Sequence, residues 1–191
     1  TGSLDAINRP LPDLNPFSAD DFAAELDTGM QVLDIRSPEA LSGATVPGAL
    51  GIPLPMIPAF AGFFLDYEKR IGLVAETVDD VQAAVKHLYR LGYDDVTCYL
   101  SGGMHKWETS GRGYNTIPAV HAGELTGMIE FGSDFTLLDV RSIDEYQSGH
   151  LPNAEHIYVG ELTGRLGEIP SDKPIVTFCG SGRRAAIAAT Y

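Results

Sequence analysis

Positive charge is scarce in this sequence: 13 Lys and Arg stand against 26 Asp and Glu in 191 residues, a formal net charge of -13. A phosphate backbone needs a basic face, so this balance argues against a nucleic-acid partner and against docking on an anionic membrane. No apolar run approaches the ~20 residues that a spanning helix needs. No secretory leader is visible at the start, although Thr1 is not a natural initiator and leaves room for chain upstream. There are only two cysteines, Cys98 and Cys179. They cannot make a disulfide scaffold in a chain this long, and a reducing, cytoplasmic setting is expected. The five histidines show no His-x-x-x-His spacing and no Cys-x-x-Cys pair exists, so neither a metal nor another cofactor is expected.

A duplication is present. The stretch "VLDIRSPEALSGATVPGALGI" from residue 32 matches "LLDVRSIDEYQSGHLPNAEHI" from residue 137 without a gap. Leu33, Asp34, Arg36 and Ser37 recur as Leu138, Asp139, Arg141 and Ser142, and Pro47, Ala49 and Ile52 recur as Pro152, Ala154 and Ile157. A constant offset of this size means two tandem copies of a domain rather than a solenoid. We place a linker at 1–16, the first copy at 17–113 and the second at 114–191. The linker reading rests on the prolines of "NRPLPDLNP", and the boundary on the Gly, Ser, Thr and Pro of "TSGRGYNTIPA".

Within the first copy, "SADDFAAEL" has helical spacing behind an N-cap-like Ser18. "MQVLDIR", a short piece around Leu50 to Pro53, "IGLVAE" and "VTCYL" read as strands. "VDDVQAAVKHLYRL" carries apolar residues at helical spacing, "GYDD" stops it, and "GGMHKW" opens a closing helix. The second copy begins in the same way at "VHAGELTGMI", with "TLLDVR" as its strand. Strands alternating with helices imply an α/β fold with a mostly parallel sheet flanked by helices in each copy.

The chemistry gathers at "PIVTFCGSGRRAAIAATY". A strand delivers Cys179 to the carboxyl edge of a parallel sheet, where open α/β folds bind ligands. Gly180, Ser181 and Gly182 permit a tight turn with inward N–H groups. A helix then begins, and Arg183 and Arg184 add two full charges to its positive end. All of this favours thiolate over thiol, and thiolate is the reactive form. The plain alternative is a buried cysteine before a surface turn with two solvated arginines. Cys98, inside a strand, reads as a small buried hydrophobe.

The segment "LDVRSIDEYQSGHLPNA" followed by "IVTFCGSGRRAA" resembles the rhodanese family of sulfurtransferases. The matching positions are Asp139 and Arg141, then Gly149, His150, Pro152 and Ala154, then Cys179, Gly182 and Arg184. "YLSGGMHKW" in the first copy is similar to that family's closing segment. The resemblance implies sulfur transfer through a persulfide on Cys179. Arg183 and Arg184 would orient a small anionic sulfur donor, thiosulfate or a low-molecular-weight persulfide, and the N–H groups from Gly180 to Arg183 would hold the bound sulfur. A thiol or other nucleophile would be the acceptor. Related phosphatases and arsenate reductases use a loop one residue longer, so the compact loop here favours sulfur. Asp139, Arg141, Glu145 and His150 are expected to support the site structurally. Arg141 is expected to pair with Glu145 across a loop, and Arg36 and Glu39 to do similar work in the first copy.

Aligning "IVTFC" with "IGLVA" puts Ala75 opposite Cys179, and Asp79 and Asp80 opposite Arg183 and Arg184. The first copy therefore reads as catalytically inactive, used for packing or docking. Its aromatic stretch with Phe60, Phe63, Phe64 and Tyr67 is either interface or core. The second copy stops at Tyr191, opposite His87, so it is expected to lack a last strand and closing helix and to leave an unpaired edge. An inactive copy followed by an active one also resembles the carboxyl half of proteins that fuse a metallo-β-lactamase-like persulfide dioxygenase to rhodanese domains. A module that only docks partners or relays sulfur for a fused enzyme is the second reading.

Overall fold

The computed structural model describes residues 11–170 and 172–191. Each copy is a parallel sheet flanked by helices. In the first copy β1 (Asn15–Phe17) leads into α1 (Ala19–Asp27), β2 (Gln31–Asp34), α2 (Pro38–Gly43), β3 (Leu50–Gly51) and α3 (Ile57–Phe64). Then follow β4 (Ile71–Val74), α4 (Val78–Leu91), β5 (Val96–Leu100) and α5 (Gly103–Thr109). The five strands lie in the order β1-β5-β4-β2-β3, every neighbouring pair parallel. Helix starts follow local chemistry. The Ser18, Ser37 and Thr77 side chains each accept an N–H from the first turn of α1, α2 and α4, satisfying donors that the helix leaves orphaned. Gly92 ends α4 in the left-handed conformation that glycine adopts at least cost.

The second copy repeats the part of this plan from α1 to α4: α6 (Ala122–Glu130), β6 (Thr136–Asp139), α7 (Ile143–Gln147), β7 (Glu155–His156), α8 (Leu162–Arg165), β8 (Ile175–Phe178) and α9 (Arg183–Thr190). Its strands lie in the order β7-β6-β8, again parallel. β4 is buried along its whole length between β2 and β5, whereas β8 ends its sheet and Ile175 is 44% exposed. The turn before β3 and β7 requires a positive φ: Gly48 sits at +77° and its counterpart Asn153 at +60°. Glycine and asparagine are the residues that tolerate this region.

The fold adds three observations to the sequence reading. Asn15 and Pro16, assigned to a linker, belong to β1, which pairs with β5; the earlier residues of that linker, 1–10, lie outside the described residues. The aromatic stretch after residue 56 contains a helix, α3, which the sequence reading left unassigned. The segment beyond residue 113 is tied to the first copy, with Asn115 bridged to Thr45 and the Ile117 N–H donating to the Ser42 carbonyl at 3.0 Å.

The copies share a core cluster, beside a smaller cluster of each copy's own. A single buried cluster joins Leu33, Ile52, Ile57 and Phe60 of the first copy to Leu138, Val140, Ile157, Cys179 and Ile187 of the second. α9 lies on the first copy, against β3 and α2. The Thr190 hydroxyl accepts the Gly51 N–H at 2.8 Å, and the Phe64 and Tyr191 rings meet edge to face at 5.0 Å.

Candidate active site

Cys179 is the first residue past β8, and four residues later α9 begins. Gly182 makes the turn possible: its φ of +77° lies in the left-handed region, and its carbonyl accepts the Ala186 N–H at 2.8 Å, the opening bond of the helix. The Cys179 side chain is 8% exposed, and its Sγ accepts the Ala185 N–H at 3.4 Å. A free N–H at a helix start is a fixed positive dipole end, and here it points at sulfur. The Thr177 hydroxyl donates to the Ala185 carbonyl at 3.0 Å, tying the strand to the same turn.

The two arginines do different work. Arg184 grips Glu145 with both terminal nitrogens, at 2.6 and 2.8 Å. Glu145 also accepts the Ser142 N–H at 3.1 Å and its hydroxyl at 2.9 Å, closing the start of α7. Arg184, with the Ser142 N–H and hydroxyl, holds the Glu145 carboxyl down at about 2. Arg183 is exposed, and among the described residues it makes no salt bridge.

The expected pairing of Arg141 with Glu145 is not what the fold makes. Arg141 is spent on Asp139 of its own strand end, with Nε at 2.9 Å and Nη2 at 2.5 Å, and its Nη2 also donates to the Gly149 carbonyl at 2.9 Å. The Phe178 ring lies under its guanidinium, 5.4 Å to the centroid. Arg36 repeats this arrangement with Asp34 and the Ala44 carbonyl. Glu145 turns to Arg184 because the capping bonds already aim its carboxylate at the α7 start, where α9 brings a second cation. His150 stacks on Tyr146 at 4.0 Å, and its Nδ1 lies 3.1 Å from the Tyr146 carbonyl. His156, which the sequence reading passed over, stacks on the other side of Tyr146 at 4.4 Å and places Nε2 2.9 Å from the Arg141 carbonyl.

In the first copy the same loop carries Ala75 and Glu76. The Thr77 hydroxyl accepts the Asp80 N–H at 3.1 Å and starts α4 one residue earlier than α9 starts in its own frame. The ungapped alignment therefore needs one correction: by helix position, Asp79 and Asp80 stand opposite Arg184 and Ala185. The side chain of Cys98 is fully buried and 3.5 Å from the Met30 sulfur, and burial pushes its thiol up to about 11.

The loop and sheet define a parallel α/β domain with a cysteine at the carboxyl edge of its sheet, at the foot of a helix. The Rhodanese-like domain family model matches residues 18–110 and 121–191, and the chain belongs to that family, in two tandem copies. It is 33% identical over 88 residues to the putative sulfur carrier protein YrkF of Bacillus subtilis (strain 168), covering 46% of this chain and 45% of that protein. It is 44% identical over 61 residues to the HTH-type transcriptional regulator Rv0324 of Mycobacterium tuberculosis (strain ATCC 25618 / H37Rv), covering 32% of this chain and 26% of the regulator. It is 31% identical over 75 residues to the putative sulfurtransferase YtwF of Bacillus subtilis (strain 168), covering 39% of this chain and 73% of that protein. The matches thus span less than half the length of the first two relatives.

Proposed function

We propose that this chain is a sulfurtransferase that carries sulfur as a persulfide on Cys179. The observation that carries the reading is the Ala185 N–H directed at Sγ at the start of α9. A sulfur-carrier name and a sulfurtransferase name among its relatives support the class.

In the first half-reaction the Cys179 thiolate attacks the outer sulfur of thiosulfate or of a low-molecular-weight persulfide. The donor's S–S bond breaks as the new one forms, and sulfite or a thiolate leaves with the electron pair. In the second, an acceptor thiolate takes the outer sulfur and Cys179 is released. This is two-step covalent catalysis with ping-pong kinetics. Arg183, exposed beside the loop, orients the anionic donor. Arg184 acts through its grip on Glu145, which fixes the first turn of α9, and contributes its charge at the thiolate from there. The loop N–H groups from Gly180 to Arg183 cradle the transferred sulfur. Asp139 and Arg141 hold the adjacent strand end, and His150 supports the loop through the Tyr146 stack. No cofactor and no metal is required. A reducing cytoplasm would keep the thiol ready. A fused or partner metallo-β-lactamase-like persulfide dioxygenase would share the same sulfur carriers.

The test is intact mass before and after incubation with thiosulfate, and separately with a low-molecular-weight persulfide, followed by cyanide. A gain of one sulfur atom that cyanide removes, absent in Cys179→Ser, is the expected result. No gain from either donor on folded protein would leave a docking module as the better account.

A further inference from the structure

The loop of the second copy faces the first copy across a cleft of about 450 Å³. Ser181 and Arg183 line one side of it. Glu39, Glu76 and Asp80 of the first copy line the other, with Arg36 at its floor. The Arg36 charge is already committed: its guanidinium is buried against Asp34 at 2.7 Å, and Glu76 stands 3.9 Å away. Asp80 accepts the neutral Thr77 hydroxyl at 2.7 Å, and among the described residues it makes no salt bridge. Glu39 is exposed, and its carboxyl is held below the usual range by its own helix-start N–H and the Ser37 hydroxyl, with Arg183 adding a smaller pull. Three carboxylates therefore face Arg183, which makes no salt bridge among the described residues, in a space large enough for a small thiol. The cleft is negative although its reactive loop is positive.

A ligand reaching the loop through this cleft meets both signs. A small acceptor with a second anion gains Arg183 but is repelled by the opposite wall. An acceptor with an ammonium group is attracted by that wall while its thiolate approaches the loop. We propose that the inactive first copy is the specificity wall of the second copy's site: Glu39, Glu76 and Asp80 favour thiol acceptors that carry an ammonium group over those that carry a carboxylate. This rests on the sulfur-transfer reading above. In the step concerned, the acceptor thiolate attacks the outer sulfur of the Cys179 persulfide. The new S–S bond forms as the bond to Cys179 breaks, Cys179 departs with the electron pair as thiolate, and no outside oxidant or reductant is needed.

The test uses cysteamine and 3-mercaptopropionate, thiols of similar size and opposite charge. Cys179 is loaded first and excess donor removed, so the acceptor step is read alone. The ratio of the two discharge rates is compared between wild type, Glu39→Gln/Glu76→Gln and Glu39→Lys. Comparing ratios cancels the intrinsic reactivities of the thiols. Asp80 is left in place because it helps close the start of α4. The expected result is a fall in the cysteamine preference of roughly 3- to 10-fold in both variants, and a smaller preference at high salt, the size and screening expected of exposed charges. Circular dichroism identical to wild type shows that the variants are folded, and the two variants alter the wall in independent ways. An unchanged ratio in folded variants would overturn the wall while leaving sulfur transfer standing. Failure of wild-type Cys179 to take up sulfur at all would overturn the sulfur-transfer reading, and the wall with it.

Discussion

Glu145 sits where two helix starts meet, and its charge has work on both sides. Arg184 and the Ser142 N–H hold its carboxyl near 2, against an ordinary value of 4.5. A carboxyl with a lowered folded-state pKa adds stability that is complete above the unfolded value and is lost as pH falls through the folded one. Its contribution is therefore full above pH 4.5 and fades toward pH 2. Side-chain carboxyl NMR should place the Glu145 midpoint near 2 in wild type, and Arg184→Ala should move it up toward 4.5. A midpoint unmoved by that substitution would remove Arg184 from the loop's support. The sequence put Glu145 among the supporting residues and named the wrong partner, because Arg141 and Arg184 are equally available on paper. Only the packing of α9 beside α7 decides between them.

At the scale of elements, the strand-end arginine is the repeated device. Arg36 and Arg141 each fold back on the aspartate two residues earlier and reach a carbonyl eight residues later. Asp34 is fully buried and Arg36 is 7% exposed. Burial raises the Asp34 carboxyl even though Arg36 opposes it. Removing one partner of such a pair leaves the other uncompensated, so Arg36→Met should cost about 3–5 kcal/mol in chemical denaturation. Asp139 is equally buried but Arg141 is more exposed, at 14% of its side chain, so Arg141→Met should cost less. The repeated Asp-x-Arg was legible in the sequence, but its internal pairing was not: the sequence reading gave Arg141 and Arg36 to Glu145 and Glu39. The one-residue difference between the two copies at the α4 and α9 starts was not legible either, because it depends on the Thr77 hydroxyl capping one helix where Gly182 bends into the other.

For the whole molecule, the consequential contact is α9 on the first copy. Ile187 is fully buried in the cluster that both copies share. Ile187→Ala should destabilise by about 2–5 kcal/mol and should do so in a single unfolding transition, since the largest buried cluster runs through both copies. Two separated transitions in calorimetry would show that the copies fold independently. The helix whose start follows Cys179 is thus seated at its far end on the first copy, through Thr190 and Tyr191. No spacing in the sequence announces this. Thr190 looks like any threonine near a helix end until Gly51, too small to block it, brings a strand-edge N–H to its hydroxyl. A methyl group added at Gly51 would come within 2.7 Å of Leu41 and 3.1 Å of Thr190.

By itself the sequence determined the duplication and the parallel α/β plan, and it placed a cysteine on the loop of the second copy where the first copy has an alanine. Each of these lives in local pattern: apolar periodicity, capping residues, and a strand, glycine turn and helix start in succession. The tertiary structure decided which arginine makes no salt bridge among the described residues, which carboxylate binds the other, and what stands across from the loop. Those are questions of distance between residues far apart in the chain, and they are answered only when α9 is laid on the first copy and the two charge patterns are brought face to face.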